Sequence, residues 1–489
     1  MRGRAMSGAA ELGRIARRAM LERGLLPDFS PEAMKQVAGL KGAAAGGPAV
    51  RDLRGLLWSS IDNDDSRDLD QIEVVEPLAG GAARVLIGVA DVDALVERDS
   101  PVDAHARRNT TSVYTAAQTF PMLPERLSTD LTSLAPDADR LAIVIELTVS
   151  TEGAVTGADI YRAWVRNHAQ LAYDGVGAWL AGTGAAPARV ASLRGLDEQL
   201  RRQDEIAARL QSLRRTHGAL ELETGEARAV FEGGVLTDLC AEEKNRAKEI
   251  IEDFMIAANG AIARFLTAKG FPSLRRVLRA PERWSRIAAL AASLGGKLPE
   301  TADAAALDAF LRSRRAADPA GFADLSLAVV KLLGRGEYVA ERPGERGAGH
   351  FALAVLDYAH STAPNRRFPD LITHRLVKTA LAGRPPPYGL QELESLAAHC
   401  TEQEDNAAKV ERRVRKSAAA LLLSSRIGER FQAVVTGVNN DGVWVRIVQP
   451  MAEGKLVRGA EALDVGERIE VELVQTDVER GFVDFARSQ

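Results

Sequence analysis

The chain has 489 residues, 46% hydrophobic and 27% charged, with a formal net charge of −4. This is the composition of a soluble globular protein of roughly three domains at ~150 residues each, and it excludes a polycation or a low-complexity chain. No apolar run reaches the ~18 residues needed to span a bilayer, the basic start "MRGRAMSGAAELGRIARRAM" lacks an apolar signal core, and two cysteines, Cys240 and Cys400, form no metal or redox motif. A cytoplasmic protein without a membrane span is expected. Residues 1–45 read as two or three short helices, among them "AAELGRIARRAMLERGLL" with apolar residues at helical spacing, and "KGAAAGGPAVRD" breaks the pattern as a linker. Then come strands: "IEVVEP", "ARVLIGVADV" and "RLAIVIELTVS" are short, β-branched and bounded by turn residues. Residues 195–270 read as mostly helical, and helices and strands alternate to about 425. The end of the chain reads as about five short strands with turns at "NNDG" and "VGER", which fits a small OB-type barrel.

The segment "SSIDNDDSRDLDQIE" carries Asp62, Asp64, Asp65, Asp68 and Asp70 within nine positions. Its spacing imitates a calcium loop, but Arg67 occupies the position where such a loop needs glycine, and both flanks are strand-like. A solvated acidic loop is the plain alternative. Yet the cluster lies between two apolar strands, where crowded carboxylates rise in pKa unless a cation neutralises them. Mg²⁺, which favours carboxylates, water and phosphate oxygens, is the simplest such cation, and a pair of ions would suit phosphodiester cleavage.

Three further segments narrow the choice. "IGVADVDALVERDSPVDAHARRNTTSVYTAAQTFPMLPERLSTDLTSLAPDADRLA" (87–142), "GHFALAVLDYAHSTAPNRRFPDLITHRLV" (349–377) and "CTEQEDNAAKVERRV" (400–414) follow the aspartates in order. Together they resemble the RNB catalytic domain of the RNase II/RNase R family over about residues 52–489. The resemblance implies an α+β fold: a helical module at 1–48, an RNB catalytic domain of mixed sheets and helices around an RNA channel at 49–425, and an OB-fold RNA-binding domain at 426–489. It implies a monomeric, processive 3′-to-5′ exoribonuclease that hydrolyses single-stranded RNA to nucleoside 5′-monophosphates. Two Mg²⁺ ions would serve it, with Mn²⁺ as a substitute.

Carried over by residue, the resemblance gives Asp62, Asp68 and Asp70 to the metal and the scissile phosphate, with Asp70 the most critical for catalysis. The family motif D-x5-D-x-D-D ends here in Gln71, an uncharged ligand at best; Asp64 or Asp65 is the available compensation. Tyr114 matches a tyrosine that stacks on the 3′-terminal base, the alternative being a buried strand tyrosine. Its usual partner aromatic is replaced by Leu222 in "GALEL". Arg366 matches the arginine at the scissile phosphate, with Arg367 beside it on the backbone, and Ala363 and Asn365 depart from the family loop. Glu411 and Glu252 match positions near the terminal nucleotide, although a helix-surface salt bridge accounts for Glu411 equally well. His350, His360 and His374 read as structural. In the C-terminal domain Phe431 and Trp444 stand where bases stack in such barrels, or fill its core. Relatives carry two OB domains ahead of the catalytic one where this chain has about 50 residues, so easier access for structured RNA is expected. A catalytically weakened RNA-binding protein of the same fold is the alternative that Gln71 favours.

Overall fold

The computed structural model describes residues 2–223, 227–232, 235–241, 244–319, 321–345, 347–439 and 442–488. Two helices open it, α1 (Arg2–Glu22) and α2 (Pro31–Ala38). The second starts by rule: Ser30 accepts a hydrogen bond from the Ala33 N–H, and Pro31 takes the first helical position. Then follow β1 (Arg51–Asp52), β2 (Trp58–Asp62), β3 (Gln71–Pro77), β4 (Ala83–Ala90), α3 (Pro101–Asn109), the short β5 (Val113–Tyr114) and β6 (Thr119–Phe120), β7 (Asp139–Val149) and β8 (Val155–Ala172). Six of these strands form one sheet in the order β1-β8-β2-β3-β4-β7. The 18 residues of β8 do two jobs: the first part runs antiparallel to β7 from Val155 to Arg166, and Asn167–Ala172 runs parallel to β2. The sheet thereby closes on itself through β8, and β2 and β3 sit in its middle with both faces covered.

The covering layer contains α4 (Tyr173–Leu180), α5 (Ala188–Ser192), α6 (Leu196–Thr216) and α7 (Arg246–Ala268). Between the last two lies an antiparallel hairpin, β9 (Ala227–Glu232) and β10 (Val235–Ala241), so the stretch read as mostly helical is interrupted by strands. Next come β11 (Ser273–Val277), three consecutive helices α8 (Trp284–Ser293), α9 (Ala304–Ala317) and α10 (Phe322–Leu333), β12 (Glu337–Glu341), α11 (Phe368–Leu381) and the 34-residue α12 (Leu390–Leu423). Strands β13 (Arg430–Asn439), β14 (Gly442–Ile447), β15 (Ala452–Arg458), β16 (Arg468–Asp477) and β17 (Phe482–Arg487) make a closed five-stranded barrel. Residues 440 and 441 of the expected "NNDG" turn lie outside the described residues, as does the side chain of Cys240. The fold is α+β.

The helical start of the chain is welded to the rest. Ala16, Ala19 and Met20 of α1 join Val113, Phe120, Val410 and Val414 in one buried cluster. Arg14 and Arg18 pair with Glu479 of the barrel, and Arg17 with Asp28. At the other end, Ala419, Ala420 and Leu423 of α12 enter the barrel's own core cluster. Among the described residues no helix is long and apolar enough to cross a membrane.

Candidate active site

Asp62 is the last residue of β2 and Gln71 the first of β3, so the aspartate segment is the link between two central strands. Its path is fixed by few contacts. Asp62 Oδ1 accepts from the Asn63 N–H and from Ser66 Oγ. Leu69, 2% exposed, is its apolar anchor. Ser133 Oγ donates to the Arg67 carbonyl at 2.7 Å and accepts from the Leu69 N–H at 3.1 Å. The Leu134 N–H closes on the Leu69 carbonyl and the Ala90 N–H on that of Asp70.

Asp70 is 1% exposed. One carboxylate oxygen accepts from the Asn365 N–H at 2.9 Å and the other from Arg366 Nε at 3.2 Å. Burial, opposed by Arg366 and reinforced by Asp68, pushes its carboxyl up to about 7. The Asp68 carboxyl is also raised by burial, with Asp62 adding to the effect and Arg366 and the Tyr114 hydroxyl resisting it. The Arg366 loop is held in turn. Asn365 Oδ1 accepts from Thr132 Oγ1 at 2.6 Å, and the Ala363 N–H and Arg367 Nη2 both donate to Asp370 Oδ1 at 2.8 Å.

Tyr114 reaches the same place from α3. Thr110, with φ of 60°, ends that helix in the left-handed conformation and turns the chain into β5. The Ser112 N–H then donates to the Arg366 carbonyl, and the Phe368 N–H to that of Thr110, which zips β5 to the arginine loop. The Tyr114 N–H donates to Glu411 Oε1 at 2.9 Å. The ring itself is 45% exposed. A cavity of about 540 Å³ opens here, lined by Asp65, Asp68, Tyr114, Thr129, Glu411 and Arg415 among others. Its volume is within the ~300–1,000 Å³ typical of small-molecule pockets.

Asp62, Asp68, Asp70, Tyr114 and Arg366 are thus brought together, with Glu411 on the Tyr114 backbone and Gln71 buried next to Asp70, whereas Arg367 turns to Asp370 and Thr362. Asp64 and Asp65 are exposed. Others are placed elsewhere. Glu252, near Lys244 at 3.6 Å, lines a separate small cavity with Arg214 and Glu221. Leu222 packs on the α8–α10 cluster. Phe431 is buried in the barrel core with its ring 6.3 Å from that of Phe485, which is the filling role and leaves no face for a base. Trp444 is half-buried on β14 beside Lys455, whose Nζ is 5.9 Å from the ring. His374 Nε2 meets the Ser361 carbonyl and His360 Nδ1 the Tyr338 hydroxyl. Sequence reasoning missed Thr132, Ser133 and the Asn365 amide, although "DLTSLAP" lies inside a quoted motif.

Comparison with known proteins agrees with this architecture. A model of the RNB domain matches residues 50–383, and one of the RNase II-type exonuclease C-terminal S1 domain matches residues 429–488. The chain belongs to the RNB family. This RNB protein is 33% identical to Ribonuclease R of Escherichia coli over 454 residues, 88% of this chain and 54% of the relative. It is 30% identical to Ribonuclease R of Aquifex aeolicus, covering 89% and 64%. The chain therefore spans little more than half of the E. coli protein. Among solved structures, Mycoplasma genitalium RNase R in complex with ribose-methylated single-stranded RNA superimposes with a TM-score of 0.87 at 22% identity, over 97% of this chain and 77% of that one. Yeast Ssd1, a pseudonuclease, superimposes with a TM-score of 0.71 at 16% identity, over 94% and 57%. The RNB fold by itself therefore does not decide activity.

Among the described residues, no three His, Cys, Asp or Glu side chains converge into a ready metal-binding set. The electrostatics nonetheless suit a divalent ion. Asp68 and Asp70 offer hard oxygen donors, and burial holds both carboxyls raised despite Arg366, so a cation beside them would favour their charged forms.

Proposed function

We propose that this RNB protein is a hydrolytic, Mg²⁺-dependent 3′-to-5′ exoribonuclease that degrades single-stranded RNA processively to nucleoside 5′-monophosphates, as a monomer in the cytoplasm, and tolerates structured RNA. The observation that carries the reading is the bonded chain Asp70–Arg366 with Tyr114 and Glu411 beside one cavity. Asp62, Asp68 and Asp70 are the residues that would hold the metal, one ion or two, with Gln71 adding at most an uncharged oxygen. When bound, the metal supplies a water of lowered pKa and neutralises charge on the phosphate.

The chain's own residues do the rest. Arg366, its side chain 44% exposed, is free on one side to fork onto phosphate oxygens. The open face of Tyr114 suits the terminal base, a contact that tolerates any sequence. Glu411 fixes the strand that carries this ring, and Trp444 is the barrel's candidate stacking residue.

The test is the product ladder from 5′-labelled single-stranded RNA and from a duplex with a 3′ tail. Mononucleotide release should require Mg²⁺ or Mn²⁺, and Asp70→Asn should slow it by about 10²-fold or more. An Asp70→Asn variant as active as the native chain would sink the assignment. Gln71 and the likeness to a pseudonuclease favour one other reading, an RNA-binding protein; RNA bound but left intact in both metals would establish it.

A further inference from the structure

We infer that α1 is a positioning element of the RNA 3′-end site, acting through Met20 and Ala16 on the strand that carries Tyr114. The inference rests on the reading of Tyr114 as a base-stacking residue.

Strand β5 is two residues long, and its partner β6 is another two. An isolated ribbon of this size has no stability of its own in water. What holds its outer edge is therefore decisive for where the Tyr114 ring points. Successive residues of a strand face opposite ways, so Val113 and Tyr114 are coupled: seating one aims the other. Val113 is fully buried, and Tyr114 is 45% exposed. Val113 shares one buried cluster with Ala16, Ala19 and Met20 of α1 and with Ala407, Val410 and Val414 of α12. Phe120, the β6 residue paired with Val113, lies in the same cluster.

The two helices meet the ribbon differently. From α12, Glu411 also bonds the Tyr114 backbone, one residue after Val410 in the cluster. From α1 the residues that enter the cluster, Ala16, Ala19 and Met20, are apolar. Met20 is fully buried, and a methionine truncated there leaves a cavity in the cluster that holds Val113, into which the short ribbon can relax. The ion pairs of Arg14 and Arg18 with Glu479 brace α1 from its outer face, so it stays a fixed wall. Leu12, one helical stretch earlier and equally buried, is outside this cluster.

The experiment measures binding of a short 5′-labelled oligo(A) RNA by fluorescence anisotropy in EDTA, with the full chain and four variants: Met20→Ala, Leu12→Ala, Tyr114→Ala and Met20→Ala/Tyr114→Ala. Thermal unfolding of each is followed in parallel. Tyr114→Ala is expected to weaken binding about tenfold, the scale of one base–aromatic stack. Met20→Ala should weaken it about three- to tenfold in the native background and leave it unchanged once Tyr114 is gone, since coupled residues are non-additive. Leu12→Ala should lower stability as much without weakening binding. Two results overturn the inference: Met20→Ala that is silent or acts equally without Tyr114, and Leu12→Ala that weakens binding as Met20→Ala does. If Tyr114→Ala alone leaves binding unchanged, the stacking reading itself fails, and that outcome is distinct from both.

Discussion

Glu73 is a buried carboxyl that costs the fold stability, and replacing it should stabilise the protein. It lies in the middle of β3, paired with Ser59 of β2 and Ile87 of β4, and is 0% exposed. Both of its carboxylate oxygens are buried without a hydrogen-bond partner among the described residues. So are the neighbouring Ser59 Oγ and the Oε1 of Gln203, whose amide nitrogen is spent on the Glu73 carbonyl. Burial, with Asp62 adding repulsion, drives the Glu73 carboxyl well above its ordinary range, so the site disfavours the charged form. A buried polar group without a partner costs about 1–3 kcal/mol. Glu73→Met keeps the volume and removes both orphan oxygens, so it should raise stability by about that amount, a Tm gain of about 1–3 °C for a chain of this length. The assay is thermal or urea unfolding followed by circular dichroism at pH 7 in EDTA, with Mg²⁺ titrated calorimetrically into both chains. A variant that loses stability and divalent-ion binding together would refute the argument, because the carboxylate would then be satisfied by a cation.

Other perturbations have equally definite signs. Arg375, 4% exposed, donates to Asp93, Asp103, the Tyr388 hydroxyl and the Val96 carbonyl at 2.7–3.0 Å; Arg375→Met should cost about 3–5 kcal/mol in urea unfolding, because Asp103 is left charged and buried. His105, 5% exposed against Phe29, is held down to about 4 by burial. Its folded pKa lies below the unfolded value, so the unfolded chain binds the extra proton, and stability falls as pH drops from about 6.5 to about 4. His105→Gln should flatten that limb of the stability–pH curve. Glu411→Ala removes a charged acceptor from the Tyr114 N–H, worth about 1.5–3 kcal/mol. It should raise the KM for single-stranded RNA about tenfold or more, and an unchanged KM would assign Glu411 to structure alone.

What was legible in the sequence depended on whether a residue's role is set nearby or by topology. The barrel, the central strands and Asp62 to Asp70 were readable because turn residues and alternation are local signals. Phe431, expected as a stacking candidate or a core residue, is decided by phase: it alternates with Ala433 and Val435, which face inward, whereas Trp444 is out of phase with Val443 and Val445. Glu73 was not readable. In "QIEVVE" its alternation matches a solvent face, and only α6 packed over that face turns it into a buried carboxyl. Nor was the bond between Asp70 and Arg366, 296 residues apart, available except through motif resemblance. This network also answers the question that Gln71 poses. Among the charged groups acting on Asp70, Arg366 opposes its raised carboxyl, while Asp68 and Asp370 add to it. Gln71 is 4% exposed, so an aspartate there would add a second buried carboxylate next to Asp70, and the neutral amide avoids that. Gln71→Asp should therefore weaken the metal-free fold, and only a bound cation should restore it.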